Sequence, residues 1–132
     1  QPATSLPHQR KAGPEKLLRI FLGEADRWHD EPLYESIVKK LILMDVAGAT
    51  VYRGILGYGA KGHQHKASFF HPMRDLPIII SVIDTAEKIS SAAQAIEEML
   101  NDGLIVISDV ESVRLVRGAS EAEAGDAAKL PG

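Results

Sequence analysis

Gly54-Ile55-Leu56-Gly57-Tyr58-Gly59-Ala60-Lys61-Gly62-His63-Gln64-His65-Lys66-Ala67-Ser68-Phe69-Phe70-His71-Pro72-Met73-Arg74 separates two apolar runs with strand character. Strands that pair as neighbours are mostly joined by short turns, so a connection of this length marks a functional or a mobile insertion in a compact domain. Its charge is biased. Residues 46–74 contain no Asp or Glu, in a chain with 18 acids and a net charge of −3. The same stretch holds Arg53, Lys61, Lys66, Arg74, His63, His65 and His71. A donor-dense loop kept free of acid in an acidic chain is the footprint of an anion site, most simply for phosphate.

Outward from this loop the chain alternates periods. Leu17–Leu22 reads as a strand with Leu18, Ile20 and Leu22 on one face. Gly23–His29 reads as a polar connection holding Trp28, which is expected to be partly buried at an interface or under this first loop. Asp30 is placed to cap a helix with Pro32 in its first turn, and Leu33, Ile37, Leu41 and Met44 give its apolar stripe. That helix is expected to end between Asp45 and Gly48. Ala49–Leu56 and Leu76–Ile83 read as strands, with Ile78-Ile79-Ile80 suggesting burial on both faces. Asp84 and Glu87 resemble a capping box opening a second helix with stripe Ile89, Ala93, Ile96 and Leu100, stopped by Asn101-Asp102-Gly103. Leu104–Ile107 and Val110–Val116 complete the strands.

The order strand, helix, strand, strand, helix, strand predicts an α+β, ferredoxin-like βαββαβ fold with two helices on one face of an antiparallel sheet. Residues 15–117 form the domain, 1–14 a flexible N-terminal tail and 118–132 a disordered C-terminal tail. The other sheet face also carries Leu, Val and Ile, so another copy of the chain is expected to cover it. The acidic balance argues against nucleic acid. No run approaches the roughly 20 apolar residues of a membrane span. The first 14 residues carry no signal-peptide pattern. The expected setting is cytoplasmic, without membrane insertion. With no cysteine, disulfide and thiolate-metal chemistry are excluded.

Gly57-Tyr58-Gly59-Ala60-Lys61-Gly62 matches a G-x-G-x-x-G pattern, but no helical stripe follows and Pro72 would interrupt one, so a dinucleotide fold is rejected. The glycines can still let backbone N–H groups approach a phosphate, or they can merely permit turns. Arg53, at the loop base, reads either as an ion-pair partner between subunits or as a fixed phosphate ligand. His63, His65 and His71 read as solvated histidines or, alternatively, as the ligands of a metal-binding trimer. Tyr58, Phe69 and Phe70 can stack on a base or pack the loop onto a neighbour. Glu24, Asp26, Asp109 and Glu111 read as solvated charges. No catalytic motif is found, and no enzyme is expected.

Leu18-Arg19-Ile20-Phe21-Leu22-Gly23-Glu24, Pro32-Leu33-Tyr34-Glu35, Ala47-Gly48-Ala49-Thr50-Val51-Tyr52-Arg53-Gly54 with Gly57-x-Gly59-Ala60, Leu76-Pro77 and Ile83-Asp84 together resemble the PII-like proteins of uncharacterised family 190. The resemblance spans about residues 16–116. It implies a compact homotrimer in which residues 57–75 correspond to the T-loop of PII signalling proteins. It implies an adenine nucleotide in clefts between subunits, contacted by Arg53, Gly54, Gly57, Gly59, Ala60 and Gly62 at the loop base and by Asp102 and Gly103 after the second helix. Leu104-Ile105 follow that turn where PII proteins usually place a basic residue, so AMP, ADP or a cyclic nucleotide is expected rather than a triphosphate. Tyr58 sits at the loop base, so the uridylylation tyrosine of PII proteins has no counterpart there. The resemblance further implies signalling to a protein partner, such as a membrane transporter or channel, because similar proteins are associated with fluoride export. A metal-binding alternative would resemble the copper-tolerance relatives of PII. Asp45 stands where relatives carry glycine, and Asp tolerates the left-handed backbone better than most residues.

Overall fold

The structure, a computed structural model, describes residues 8–59 and 75–117. The elements run β1 (His8–Gly23), β2 (Arg27–Trp28), β3 (Glu31–Pro32), α1 (Leu33–Leu43), β4 (Thr50–Arg53), β5 (Pro77–Asp84), α2 (Ala86–Glu97) and β6 (Leu104–Arg117). The main sheet has the order β4-β5-β1-β6. Two central strands flanked by the second and last strands of the main sheet give the ferredoxin-like arrangement expected from the element order. One compact unit spans residues 15–110; residues 8–14 and 111–117 belong to a second.

Register decides which side chains meet. β1 and β5 are antiparallel with Leu18 opposite Val82, Ile20 opposite Ile80 and Leu22 opposite Ile78. Directly opposed residues share a face. These six are buried, together with Leu33, Ile37 and Leu41 of α1 and Ile89, Ala92, Ala93 and Ile96 of α2. This is the core, and burial of each large aliphatic side chain contributes about 1.5–3 kcal/mol. Leu17, Phe21, Ile79 and Ile83 alternate onto the opposite face, where all four remain half-buried or exposed. The triple isoleucine run is therefore not equivalent on its two sides: Ile78 and Ile80 are sealed, whereas Ile79 is only half-covered.

Several local expectations are corrected. β1 begins at His8, so the part of the proposed tail from residue 8 onward is strand. Residues 1–7 and the C-terminal tail, 118–132, lie outside the described residues. The connection after β1 contains a small hairpin, with Arg27 opposite Pro32 and Trp28 opposite Glu31. His29 adopts φ 55° in its turn, and Arg27 Nη2 donates to the Asp30 carbonyl at 2.7 Å. Asp30 is thus used by this turn and does not cap α1; the extended Pro32 is the N-cap, without a side-chain cap bond. Trp28 is partly buried against the core. α2 is capped by Thr85, whose hydroxyl accepts from Lys88 N–H at 3.2 Å. α2 stops at Glu97, so Leu100 reaches the core from a turn rather than from the helix. In β6 the run from Val110 continues the strand that opens at Leu104.

α1 ends at Leu43, two residues before the expected stop at Asp45–Gly48, while the left-handed turn expected at Asp45 is present. Asp45 takes φ 59°, its N–H donates to the Ile42 carbonyl and Val46 N–H donates to that of Leu41. This pair of bonds is a Schellman motif with aspartate in the usual glycine position. Lys88 Nζ donates to the Asp45 carbonyl at 2.5 Å, and the buried Asp84 carboxylate accepts from Ala47 N–H at 2.8 Å and Thr85 N–H at 2.7 Å. Asp84 is therefore a structural bracket between the approach to β4 and the start of α2. The capping-box assignment misplaced it by one residue.

Candidate functional site

β4 ends at Arg53, and Gly54, the next residue, packs on Pro77. Its N–H donates to the Pro77 carbonyl at 2.7 Å. A Cβ on Gly54 would lie 2.6 Å from Pro77 Cγ, and one on Gly57 would lie 3.1 Å from the same atom. Gly54 is thus required by close approach to a proline ring that opens a core strand, and Gly57 packs tightly on the same ring. Gly59 has φ +106° with open space around it, so its requirement is conformational. Each of these glycines has a structural reason that is independent of any ligand.

Arg53 lies opposite Ile78, on the last rung of the β4–β5 ladder. Its Nη2 is 2.6 Å from Glu24 Oε2, with side chains about 55% and 31% exposed. The pair is formed within one chain, and Glu24 is not the solvated charge that its polar loop suggested. The turn carrying Glu24 also grips the returning end of the long connection. Glu24 N–H donates to the Leu76 carbonyl and Ala25 N–H to Asp75 Oδ1, both at 2.8 Å. Asp26 braces that turn by accepting from Gly23 N–H at 3.0 Å, and its carbonyl accepts from Leu33 N–H at 2.8 Å. Ile55, Leu56 and Tyr58 stand exposed beside this base.

Asp102 and Gly103 lie at the opposite edge of the sheet. A Cβ on Gly103 would meet the Phe21 carbonyl oxygen at 2.9 Å and both Leu100 methyls at 3.4 Å. This contact places the turn beside the C-terminal end of β1, the end where Gly23 opposes Pro77. Arg53, Gly54 and Gly57 on one side and Asp102-Gly103 on the other therefore share one end of the sheet, with β5 and β1 between them. At about 4.8 Å per strand spacing, the edges stand roughly 14 Å apart. A single copy does not bring the two groups together.

Ala60, Gly62, Lys61, Lys66, His63, His65 and His71 lie outside the described residues. Among the described residues there is no group of three or more His, Asp or Glu placed to hold a metal ion, and no helix is long and apolar enough to cross a membrane. A hydrogen bond from Lys39 lowers the Glu31 carboxyl below its ordinary value, and the same bond raises Lys39. Sequence reasoning missed Glu24 and Pro77 as parts of this base. Pro77 had a usable signal, since the antiparallel pairing that follows from two adjacent strands sets it against the Gly54 end of β4.

Residues 15–112 match the model of the DUF190 family, described as "Uncharacterized ACR". A UPF0166 protein of Methanocaldococcus jannaschii is 39% identical over 95 residues, covering 71% of this chain and 87% of that protein. Among solved structures, the apo form of CPII from Thiomonas intermedia K12, a nitrogen regulatory PII-like protein, aligns with TM-score 0.56 at 20% identity, covering 80% of this chain and 99% of CPII. CPII bound to ADP, AMP and acetate aligns with TM-score 0.57 at 19% identity, covering 77% and 91%. The fold is PII-like.

Proposed function

The chain belongs to the DUF190 (UPF0166) family, and from that premise we propose that it is a non-enzymatic, PII-like regulatory subunit that binds an adenine nucleotide, AMP or ADP, between copies of itself. The observation that carries this reading is the split site. The Arg53 and glycine cluster and the Asp102-Gly103 turn occupy the same end of the sheet on opposite edge strands. Two half-sites on opposite edges complete each other only when the β4 edge of one subunit meets the β6 edge of the next. The half-covered outer face supports the same assembly: Phe21, Ile79 and Ile83 need a neighbour to complete their burial. A homotrimer satisfies both needs, with each subunit giving one half-site to either neighbour. CPII, crystallised with ADP and AMP on the same fold, supports the choice of ligand class.

In this reading Arg53 presents its planar fork to phosphate oxygens from a fixed strand end, and backbone N–H groups from Gly54 to Gly59 complete the cradle. Asp102 and Gly103 close the site from the neighbouring subunit. Nucleotide occupancy biases the connection at 57–75, which contacts a protein partner. A membrane transporter or channel is the class of partner that the family resemblance implies. The ligand acts only through its different affinity for two states of that connection.

Calorimetry of AMP and ADP on the wild type and on Arg53→Ala tests this reading. Charge-assisted bonds contribute about 1.5–3 kcal/mol, and surrender of the exposed Glu24 partner offsets up to about 1 kcal/mol. With a net of about 0.5–3 kcal/mol, the variant should lose affinity by roughly two- to 150-fold while remaining a folded oligomer. Unchanged affinity in a folded variant would remove Arg53 from the site.

A further inference from the structure

We infer that Glu24 is an internal competitor for the ligand: its carboxylate holds Arg53, and an incoming phosphate has to take the guanidinium from it. This rests on the nucleotide reading above and adds its regulation. Residues 46–74 contain no acid, so the loop strand supplies no counter-charge of its own to Arg53. The charge comes instead from the turn after β1, at 2.6 Å. That turn is built to hold it there. Gly23 N–H bonds the Asp26 carboxylate, and the Asp26 carbonyl accepts from the first residue of α1. Glu24 thus projects from a braced scaffold anchored beside Leu22 and Leu33, both buried in the core.

The same turn touches both ends of the long connection. Through its side chain Glu24 holds the outgoing end at Arg53. Through the Glu24 and Ala25 N–H groups the turn holds the returning end at Leu76 and Asp75. A phosphate that displaces Glu24 leaves two anions near one guanidinium, and the repulsion pushes on the turn that also binds Asp75. Ligand binding at the outgoing end is in this way coupled to the contact at the returning end. Arg53 and Glu24 are both exposed enough for a ligand oxygen to reach the guanidinium without opening the core. A merely structural ion pair and a competitor give opposite signs when the acid is neutralised.

Glu24→Gln keeps the shape and an acceptor oxygen while removing the charge. Calorimetry on the full chain, with AMP and with uncharged adenosine, reads the sign. Release of an exposed pair predicts AMP binding about two- to fivefold tighter in Glu24→Gln. Adenosine affinity should stay unchanged, and the gain for AMP should shrink at high salt. In the wild type, saturating AMP should also lower the hydrogen-exchange protection of the Ala25 amide. Equal or weaker AMP binding in Glu24→Gln, an equal gain for adenosine, or unaltered Ala25 protection overturns the competitor role while wild-type AMP binding keeps the nucleotide reading intact. Absence of both AMP and ADP binding to the wild type overturns both.

Discussion

Replacement of Gly54 by alanine places a methyl group 2.6 Å from Pro77 Cγ, with the ring's Cδ and Cβ at 3.5 and 3.6 Å. Ordinary carbon contacts lie at about 3.5–4.0 Å, so the ring has to retreat by roughly 1 Å. Repuckering moves Cγ only part of that way. The rest must come from the backbone of β5, where Pro77 opposes Gly23 and its carbonyl accepts from Gly54 N–H at 2.7 Å. Overpacking at such a fixed site costs about 1–3 kcal/mol. For a domain of this size each kcal/mol lowers the melting temperature by about 4–8 °C. Thermal melting at fixed protein concentration, with urea unfolding as a second measure, should show this loss. The cause is testable in the same series. Pro77→Ala alone removes the ring and should be mild, and Gly54→Ala with Pro77→Ala should recover most of the single-mutant loss. A Gly54→Ala variant as stable as the wild type, or a double variant no better than Gly54→Ala, would refute the packing argument and return Gly54 to a purely ligand-facing role.

Gly103→Ala should cost a similar 1–3 kcal/mol or so in urea unfolding, because the Phe21 carbonyl 2.9 Å away belongs to a central strand, whereas Gly48→Ala, with nothing within 4 Å, should be close to neutral. Asp84→Ala strands the N–H groups of Ala47 and Thr85 at a site only 7% exposed. It should cost at least about 2 kcal/mol by the same assay, and a neutral result would show that water replaces the carboxylate. Ile80→Asp buries a carboxylate in the helix-side core and should prevent folding, seen as lost circular dichroism. Ile79→Asp alters the half-covered outer face and should leave a folded subunit that no longer assembles in light scattering. Assembly that survives Ile79→Asp would move the subunit interface elsewhere.

The fold was legible because its signals are local. A period-two run at 17–22, a continuous apolar run at 76–83, a helical stripe from Leu33 to Met44 and an aspartate able to take φ 59° near the helix end were sufficient for the topology and for one helix stop to within two residues. The α1 start was not legible in the same way. Asp30 and Pro32 fit a helix N-terminus, yet the Arg27–Trp28 and Glu31–Pro32 rungs claim both residues for a hairpin. The α2 start shows a similar competition. Asp84 has the chemistry of a cap but bonds across to Ala47, and Thr85 caps instead. Glu24 was invisible as a partner of Arg53 because their contact depends on β1 and β4 ending at one level with β5 between them. Long-range register produces it, and no local pattern encodes it. The loop-base glycines were found by motif, but the reason for Gly54 and Gly57 is the Pro77 ring as much as any phosphate.

The proposed function stands on a nucleotide site shared between copies. Native mass spectrometry of the full chain titrated with AMP tests it directly. The wild type should be a trimer that takes up one AMP per subunit, with no nucleotide on any monomer present. AMP bound to a stable monomer, or a trimer that binds no adenine nucleotide, would contradict it.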